Sequence, residues 1–382
     1  MFWKRRKSRD EIREMRFVTL IIIFCLLVKP VKLLSQSDSL HKPVVIGLHG
    51  SYGFIIPHSS KIKELSHSNP FSLELNVALH LTAEDVWKYC FCYPRLGVSM
   101  HYVDFGNREE LGSAFALYPY IEPFIGAGRR LSMAVRFGLG LSYQNTIYDE
   151  TENPRNLFFG SHFAFIAMLN TSLNVKFNDN ISGRLTFNYN HLSNGGVVQP
   201  NLGINYPLFG LGMDYVIKPY DFEEREKNRD IVLNPDRNRF DLALFFSGRE
   251  GKEFDSWYGV YGIWAGYSRM LGRISAFYTG TELVSDHLLK RRVLQDYRDG
   301  TIDELPDHKR LSILLGHELV LGRFLFSQYA GIYIYSPVTA PKPWYQRYAL
   351  LYRFAPSTWI GVNARSHYQV IDFIDLRLVR SF

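Results

Sequence analysis

Apolar and polar residues alternate with a period of two along most of the chain, and the alternating segments end at Gly, Asn, Asp or Pro. Successive side chains of a β-strand point to opposite faces, so this pattern predicts strands with one apolar and one polar face. It predicts sixteen strands: 44–56, 70–82, 89–103, 111–124, 130–144, 160–176, 181–193, 205–217, 238–247, 257–269, 273–284, 310–320, 323–335, 346–354, 358–366 and 370–381.

The connections between these strands alternate in length. Tight links such as "FIGAGR", "MLGR" and "VLGR" follow even-numbered strands, whereas the longer polar segments 57–69, 145–159 and 285–309 follow odd-numbered ones. Bacterial outer-membrane barrels have the same asymmetry, with short periplasmic turns and longer outer loops. We therefore predict an all-β fold, a transmembrane antiparallel β-barrel of about 16 strands that closes on itself so that every backbone group is paired.

One connection, 218–237, is long where a short turn is expected. It leaves open an alternative fold, an eight-stranded barrel followed by a second β unit. The predicted organisation is a first barrel half at 36–217, a polar connector at 218–237 and further barrel strands at 238–382. Segment 285–309 is interpreted as a solvated loop, with a helix as the alternative.

The N-terminal segment has the features of an export signal. Residues 17–28, "FVTLIIIFCLLV", form an apolar run behind a basic flank. The run is shorter than the roughly 20 residues that cross a bilayer, so residues 1–35 are interpreted as a cleaved signal peptide, with an uncleaved anchor as the alternative. Of the net charge of +7, this segment contributes +6, from nine Lys/Arg and three Asp/Glu. The rest of the chain is nearly neutral and gives no indication of nucleic-acid binding.

The C-terminal strand ends in an aromatic residue. In "IDLRLVRSF", Phe382 shares its parity with Ile374, Leu376 and Leu378. A terminal aromatic on an alternating strand resembles the signal with which bacterial outer-membrane barrels address the barrel-assembly machinery. We therefore expect the bacterial outer membrane as the location; the oligomeric state is left open.

The cysteines predict neither a disulfide framework nor a metal site. Cys25 lies in the signal segment, and Cys90 and Cys92 lie two apart in predicted strand 89–103. On a strand they would share a face with poor geometry for bonding each other. The spacing matches no zinc pattern, so no metal or other cofactor is expected.

The stretch "NYNHLSNGGVVQPNLGINY", residues 188–206, contains a candidate catalytic group. His191 and Ser193 lie two apart on predicted strand 181–193 and so point to the same, lipid-facing side. A serine needs a neighbouring base to become a nucleophile, and the base needs a third group to orient it. Asn205, at the start of the next predicted strand, has the matching parity. We predict His191 as base, Ser193 as nucleophile and Asn205 as the orienting residue.

The residues that follow the serine supply candidate donors for an oxyanion. Asn194, the backbone of Gly195 and Gly196, and Asn201 are able to stabilise the negative charge of a tetrahedral intermediate. "NGG" is equally typical of a simple turn, so the two glycines have a purely structural alternative.

Residues 188–206 resemble the active-site signature of the PagL family of outer-membrane lipid A 3-O-deacylases, and the resemblance extends over roughly residues 43–217. It implies an eight-stranded barrel, a serine hydrolase site on its outer wall, lipid A of lipopolysaccharide as substrate, and no cofactor. Asn205 stands where the family has an acidic residue, and the chain continues well beyond the family core. The alternatives are an outer-membrane phospholipase and a non-enzymatic porin or structural barrel, because sixteen strands would enclose a water-filled lumen.

Overall fold

The computed structural model describes residues 43–228, 233, 236–254, 256–340, 342–368 and 370–382. The predicted signal peptide, residues 1–35, lies outside the described residues. Within them the chain forms two antiparallel β-barrels in succession. The connector between the barrels begins after residue 216.

The first barrel is closed by pairing of its first and last strands, where Val45 lies opposite Val216, and by pairing of its fourth and sixth strands. Pro123 interrupts one wall, because proline has no N–H for the ladder, and leaves a two-residue strand beyond it. The strands are β1 (Val44–Gly53), β2 (Phe71–His80), β3 (Arg95–Asp104), β4 (Ser113–Glu122), β5 (Phe124–Ile125), β6 (Leu131–Gln144), β7 (Phe163–Lys176), β8 (Ile181–Ser193) and β9 (Ile204–Val216).

The second barrel has eight strands and closes where Asp241 on its first strand lies opposite Ser381 on its last. Phe382 adds a reciprocal pair of backbone hydrogen bonds with Phe240, at 2.8 and 3.1 Å. The strands are β10 (Asn238–Gly251), β11 (Ser256–Met270), β12 (Ser275–Asp286), β13 (Lys309–Leu321), β14 (Phe324–Tyr335), β15 (Trp344–Ala355), β16 (Thr358–His367) and β17 (Val370–Ser381).

All sixteen predicted strands are present, and the all-β, antiparallel transmembrane barrel is confirmed. They do not form the single barrel of about 16 strands; the arrangement is the alternative of two successive units. The reason is a pairing choice that no local pattern encodes: β9 returns to β1, and β10 pairs with β17. The long connector after β9 provides the chain length needed to begin a new barrel.

Each barrel presents an apolar wall and a polar interior. On β8, the outward-facing Leu185 and Phe187 are 55% and 38% exposed, whereas the intervening Thr186 is 3% exposed. The same alternation recurs on the other strands, as expected for walls that face lipid on one side. The sequence parity therefore assigned the faces of β8 correctly.

The interior of both barrels is filled by ion pairs and large side chains. In the first, Glu122 pairs with Arg136 at 3.1 Å and also with Arg184. In the second, Arg347 lies 2.9 Å from Glu282 and bonds to Asp375 as well. Eight-stranded barrels leave an interior just wide enough for side chains to fill. The wide lumen on which the porin alternative rested does not form.

Two local predictions were wrong. Cys90 and Cys92 form a disulfide, because the segment is not a strand but the end of helix α1 (Glu84–Cys90). Phe91 follows the helix with φ 51°, in the left-handed region, and turns the chain so that Cys92 returns towards Cys90. Segment 285–309 is not a loop throughout but contains helix α2 (His287–Arg298), whose first turn is capped by the side chain of Asp286.

Short 3₁₀ turns at Ser60–Ile62, Leu65–His67 and Lys252–Phe254 complete the secondary structure of the described residues. In that part of the chain, no helix has the length and apolar character needed to cross a membrane.

Candidate active site

The predicted site residues come together at the end of β8 and the beginning of β9. The register places His191 directly opposite Asn205. Ser193 is the last residue of β8 and only 6% exposed, because the connecting loop 194–203 folds over it. Regular strand pairing thus aligns His191 with Asn205, and the loop that leaves the strand encloses Ser193.

A chain of hydrogen bonds fixes the orientation of His191. Its Nδ1 lies 2.7 Å from Asn205 Oδ1, and Asn205 Nδ2 lies 3.2 Å from Nδ1 of His58. The other ring nitrogen of His58, Nε2, lies 2.9 Å from the carbonyl oxygen of Leu202. Because a carbonyl oxygen only accepts, His58 carries its proton on Nε2 and accepts the Asn205 amide proton at Nδ1.

The direction of these bonds determines which nitrogen of His191 carries the lone pair that the predicted role as base requires. Asn205 donates through Nδ2, so its Oδ1 accepts the proton of His191 Nδ1. The neutral imidazole therefore has its lone pair on Nε2, the nitrogen that remains for a nucleophile. An amide can impose this tautomer, as in enzymes with a Cys-His-Asn group, although it carries no negative charge.

Two donors converge on the hydroxyl oxygen of Ser193. The side-chain amide of Asn201 donates to Ser193 Oγ at 2.9 Å, and the backbone N–H of Gly195 donates at 3.2 Å. Among the described residues, no hydrogen bond joins Ser193 Oγ directly to His191. For a proton transfer to His191, the Ser193 hydroxyl has to leave these donors and move within reach of the imidazole. Once it has moved, both donors are available to another oxygen.

Asn201 has a second role. Its Oδ1 accepts the backbone N–H of Asn194 at 3.1 Å, so a single amide orients the backbone after Ser193 and donates to its hydroxyl. Asn201 is therefore held in place by the loop that it serves. Of the two predicted asparagine donors, Asn201 is the one whose side-chain amide points at Ser193 Oγ. Its geometry agrees with the predicted role as an oxyanion donor.

Asn194 lies in the loop but points away from the serine. Its side-chain amide donates to Ser161 Oγ at 3.1 Å and to the carbonyl of Val198 at 2.8 Å, and its Oδ1 accepts the N–H of Gly196 at 3.0 Å. These contacts brace the loop. The predicted oxyanion roles of the Asn194 side chain and of the Gly196 N–H therefore lack free donors in this conformation.

Three glycines shape the loop. Gly195, Gly196 and Gly203 have φ of +71°, +79° and +69°, a region that other residues rarely adopt. A β-carbon built on Gly203 would lie 3.1 Å from Cε1 of His191 and 3.2 Å from Cβ of Ser193. The absence of a side chain at 203 therefore allows the loop to pack between the base and the nucleophile.

His58 and Gly203 were not identified from the sequence. His58 precedes Asn205 by 147 residues and lies in the segment after β1, so no local spacing connects the two. For Gly203, the only indication in the sequence was that the residue is a glycine, which is compatible with a positive φ. Asp214 is not part of this group: it lies inside the barrel, 3.1 Å from His49 and 3.2 Å from Arg184.

Comparison with protein families resolves what the chain is related to. Residues 67–214 match the model described as lipid A 3-O-deacylase (PagL), and residues 238–382 match the model described as acyloxyacyl hydrolase, C-terminal domain. The chain belongs to the PagL family. The first match contains all seven predicted site residues, whereas His58 lies outside it. The second barrel, which the sequence resemblance left without an assignment, corresponds to the C-terminal domain of the same family.

Solved structures match the chain only at low similarity. The outer-membrane enzyme PagL is 17% identical, with 44% of this chain and 97% of that chain covered and a TM-score of 0.32. Neisserial surface protein A is 10% identical, with 45% and 96% covered and a TM-score of 0.33. No curated protein sequence matches the chain. The family assignment rests on the two family models, and this family is one of lipid A deacylases, which are hydrolases.

Proposed function

We propose that this chain is an outer-membrane serine esterase that removes the ester-linked acyl chain at the 3-position of lipid A. The observation that carries the proposal is the arrangement around Ser193: a histidine with its tautomer fixed by Asn205, and two donors that converge on the serine oxygen. These groups lie at the edge of an apolar barrel wall, where a lipid ester can reach them without leaving the membrane.

In the proposed reaction, His191 Nε2 accepts the proton of Ser193 as Oγ attacks the ester carbonyl carbon. The carbonyl oxygen becomes an oxyanion and accepts hydrogen bonds from Asn201 Nδ2 and Gly195 N–H, the donors that hold Oγ in the resting site. Collapse of the intermediate breaks the bond to the sugar oxygen, which takes the proton from His191. Water, deprotonated by His191, then releases the fatty acid and restores Ser193.

Asn205 and His58 act on His191 rather than on the substrate. Asn205 Oδ1 accepts the Nδ1–H of His191 and so holds the imidazole in place. His58 prevents a flip of the Asn205 amide, because its Nδ1 is an acceptor and needs the Nδ2 donor of Asn205 in front of it. A carboxylate in place of Asn205 would stabilise the imidazolium with a full charge. We infer that this site lacks that charge stabilisation and that two neutral residues, Asn205 and His58, orient His191 instead.

The orientation of β8 supports the proposed location of the site. With short turns on the periplasmic side, β8 runs outward and ends with Ser193 at the outer leaflet, where lipopolysaccharide resides. Polar side chains at a membrane boundary are costly unless they are paired or serve a function. Export of the chain and recognition of its terminal strand by the barrel-assembly machinery are part of the proposal.

Mass spectrometry of lipid A tests this function. Lipid A is isolated from cells that express the chain and from cells that express Ser193→Ala at equal levels in the outer membrane. We expect loss of the 3-O-linked acyl group with the unsubstituted chain alone. Unchanged lipid A in both strains contradicts the proposal, and release of fatty acid from glycerophospholipids instead assigns the site to a phospholipase.

A further inference from the structure

The loop that holds the active-site donors contacts the second barrel. A β-carbon built on Gly195 would lie 2.7 Å from Cδ1 of Ile374, and one on Gly196 would lie 3.4 Å from the carbonyl oxygen of Ile371. Both isoleucines are at the beginning of β17, at the end of the second barrel that corresponds to the Ser193 end of the first. A side chain at Gly195 would have to displace the end of the Ile374 side chain.

The burial of β17 shows where the contact ends. Ile374, Leu376 and Leu378 share the outward face of this strand. Leu376 and Leu378 are 43% and 49% exposed, as expected for residues that face lipid, whereas Ile374 is partly buried. The contact is therefore confined to the first residues of β17, from Ile371 to Ile374.

The part of the second barrel that touches the loop is itself braced. Asp372 lies 2.7 Å from Nδ1 of His367 and 3.3 Å from Nε of Arg365, both on β16. Ser247 on β10 donates to the carbonyl oxygen of Ile374 at 2.6 Å. β17 is thus tied to both of its neighbours beside the loop and forms a rigid support.

A second contact joins the barrels at the opposite end. Arg273, in the turn between β11 and β12, donates to the carbonyl oxygens of Lys88 and of Tyr89, the latter at 2.9 Å, and its guanidinium lies 3.7 Å from the ring centre of Phe91. Tyr89 lies at the mouth of the second barrel, with its hydroxyl 3.1 Å from the β-carbon position of Gly322. Contacts at both ends therefore join the two barrels.

We propose that the second barrel is a positioning element of the active site, in which Ile374 and the neighbouring backbone of β17 hold the 194–203 loop so that Gly195 and Asn201 aim at the reacting oxygen. The proposal rests on the proposed esterase function. Donors of an oxyanion act only in a narrow range of positions, and a shift of about 1 Å can reduce a rate about 100-fold. A loop with three glycines in the left-handed region has little stiffness of its own and benefits from an external support.

The test compares two alanine substitutions on the same face of β17. Ile374→Ala removes the contact with the loop, and Leu378→Ala removes an exposed side chain four residues away. We expect Ile374→Ala to lower kcat about tenfold with KM changed less than threefold, because the donors serve the transition state more than substrate binding. Ile374→Val, which loses the contacting Cδ1 but keeps the β-branched Cγ atoms, should restore part of the rate, and Leu378→Ala should stay within twofold.

A photo-crosslinking measurement separates failure of this inference from failure of the esterase function. A diazirine amino acid at position 374 should crosslink to the peptide that contains residues 194–198, and one at position 378 should not. Lack of that crosslink overturns the contact, whatever the activity. Lipid hydrolysis that is unchanged in Ile374→Ala overturns the positioning role but leaves the esterase intact. A crosslink in a chain that hydrolyses no lipid overturns the positioning role together with the esterase, while the contact stands.

Discussion

Both barrels carry a histidine and a serine side by side on the outward face, and the two pairs differ in everything around them. In the second barrel, Ser275 Oγ lies 2.6 Å from Nε2 of His317. In the first, Ser193 makes no direct hydrogen bond to His191 within the described residues and is held by Asn201 and Gly195. Judged by the His–Ser distance alone, the second pair would be the better catalytic site.

The surroundings of Ser275 argue otherwise. The backbone N–H groups of Leu271 and Gly272, in the turn before it, both donate to the carbonyl oxygen of Ser275 itself, at 2.8 and 3.1 Å. They are therefore not available to an oxyanion. His317 lies opposite Gln328, and among the described residues no side chain hydrogen-bonds to its Nδ1.

The two pairs also differ in position. Ser275 begins β12 and, in the proposed orientation, lies at the periplasmic end of its barrel, whereas Ser193 ends β8 at the opposite side of the membrane. The pair in the second barrel satisfies two polar groups on a lipid-facing wall. A short His–Ser distance is therefore not enough to mark a catalytic site. The proposed chemistry also needs converging donors and a histidine of fixed tautomer, and Ser193 and His191 have both.

The largest expected effect comes from the two serines. Ser193→Ala should reduce lipid A deacylation by at least about a thousandfold, because it removes the nucleophile, and Ser275→Ala should leave the rate within twofold. The rates are measured on purified, folded protein with lipid A in detergent micelles. Equal losses in both variants would remove the distinction between the pairs.

The next effect concerns the donors. Asn201→Ala should lower kcat about 100-fold, because one oxyanion donor is lost and the backbone after Ser193 loses its partner. Asn178→Ala, an equivalent amide loss in the turn at the far end of β8, serves as the control and should retain full activity. A normal kcat in Asn201→Ala would show that this side chain only holds the resting serine.

The relay behind His191 should have a smaller effect. We expect Asn205→Ala to lower kcat about 30-fold and His58→Ala about tenfold, by analogy with the 10- to 100-fold effect of groups that orient metal-bound histidines. Asn205 has the larger effect because it contacts His191 directly, whereas His58 acts through Asn205. Asn205→Asp places a negative charge beside the imidazole and favours its protonated form. The acid limb of the pH–rate profile should then move to higher pH. A profile that does not move would show that residue 205 is not in contact with the base.

The smallest effect is one of stability rather than rate. His317→Ala should destabilise the second barrel by about 1 kcal/mol, the usual net contribution of a side-chain hydrogen bond, and leave deacylation unchanged. The free energy of unfolding is measured by urea unfolding in detergent. Gln328→Ala is the control, because Gln328 lies opposite His317 and takes no part in the Ser275–His317 hydrogen bond. A strong loss of activity in His317→Ala would reopen the second pair as a catalytic site.

Much of the fold was predictable because lipid-facing strands impose a strict period of two. β8 and β9 appear within one residue of the predicted bounds, and the faces of Leu185 and Thr186 follow from parity. Closure was not predictable, since the choice of β1 as partner for β9 depends on contacts about 170 residues apart. The disulfide of Cys90 and Cys92 was missed because a left-handed turn at Phe91 replaced the expected strand.

The site was predictable to the same extent. His191, Ser193 and Asn205 come together because two adjacent strands with a known parity place them together. His58 reaches Asn205 through the path of a loop, and the contact of Ile374 with Gly195 depends on how two barrels pack. Neither is encoded in local spacing.

The central claim is that Ser193, and not Ser275, is an activated nucleophile. The most direct measurement is to treat the folded protein with a lipid-like fluorophosphonate, which traps activated serines covalently, and to locate the adduct by peptide mass spectrometry. If Ser193 is the nucleophile and His191 its base, we expect one adduct, on Ser193, which is lost in His191→Ala. An adduct on Ser275, or none on Ser193 in a protein that hydrolyses lipid A, would contradict it.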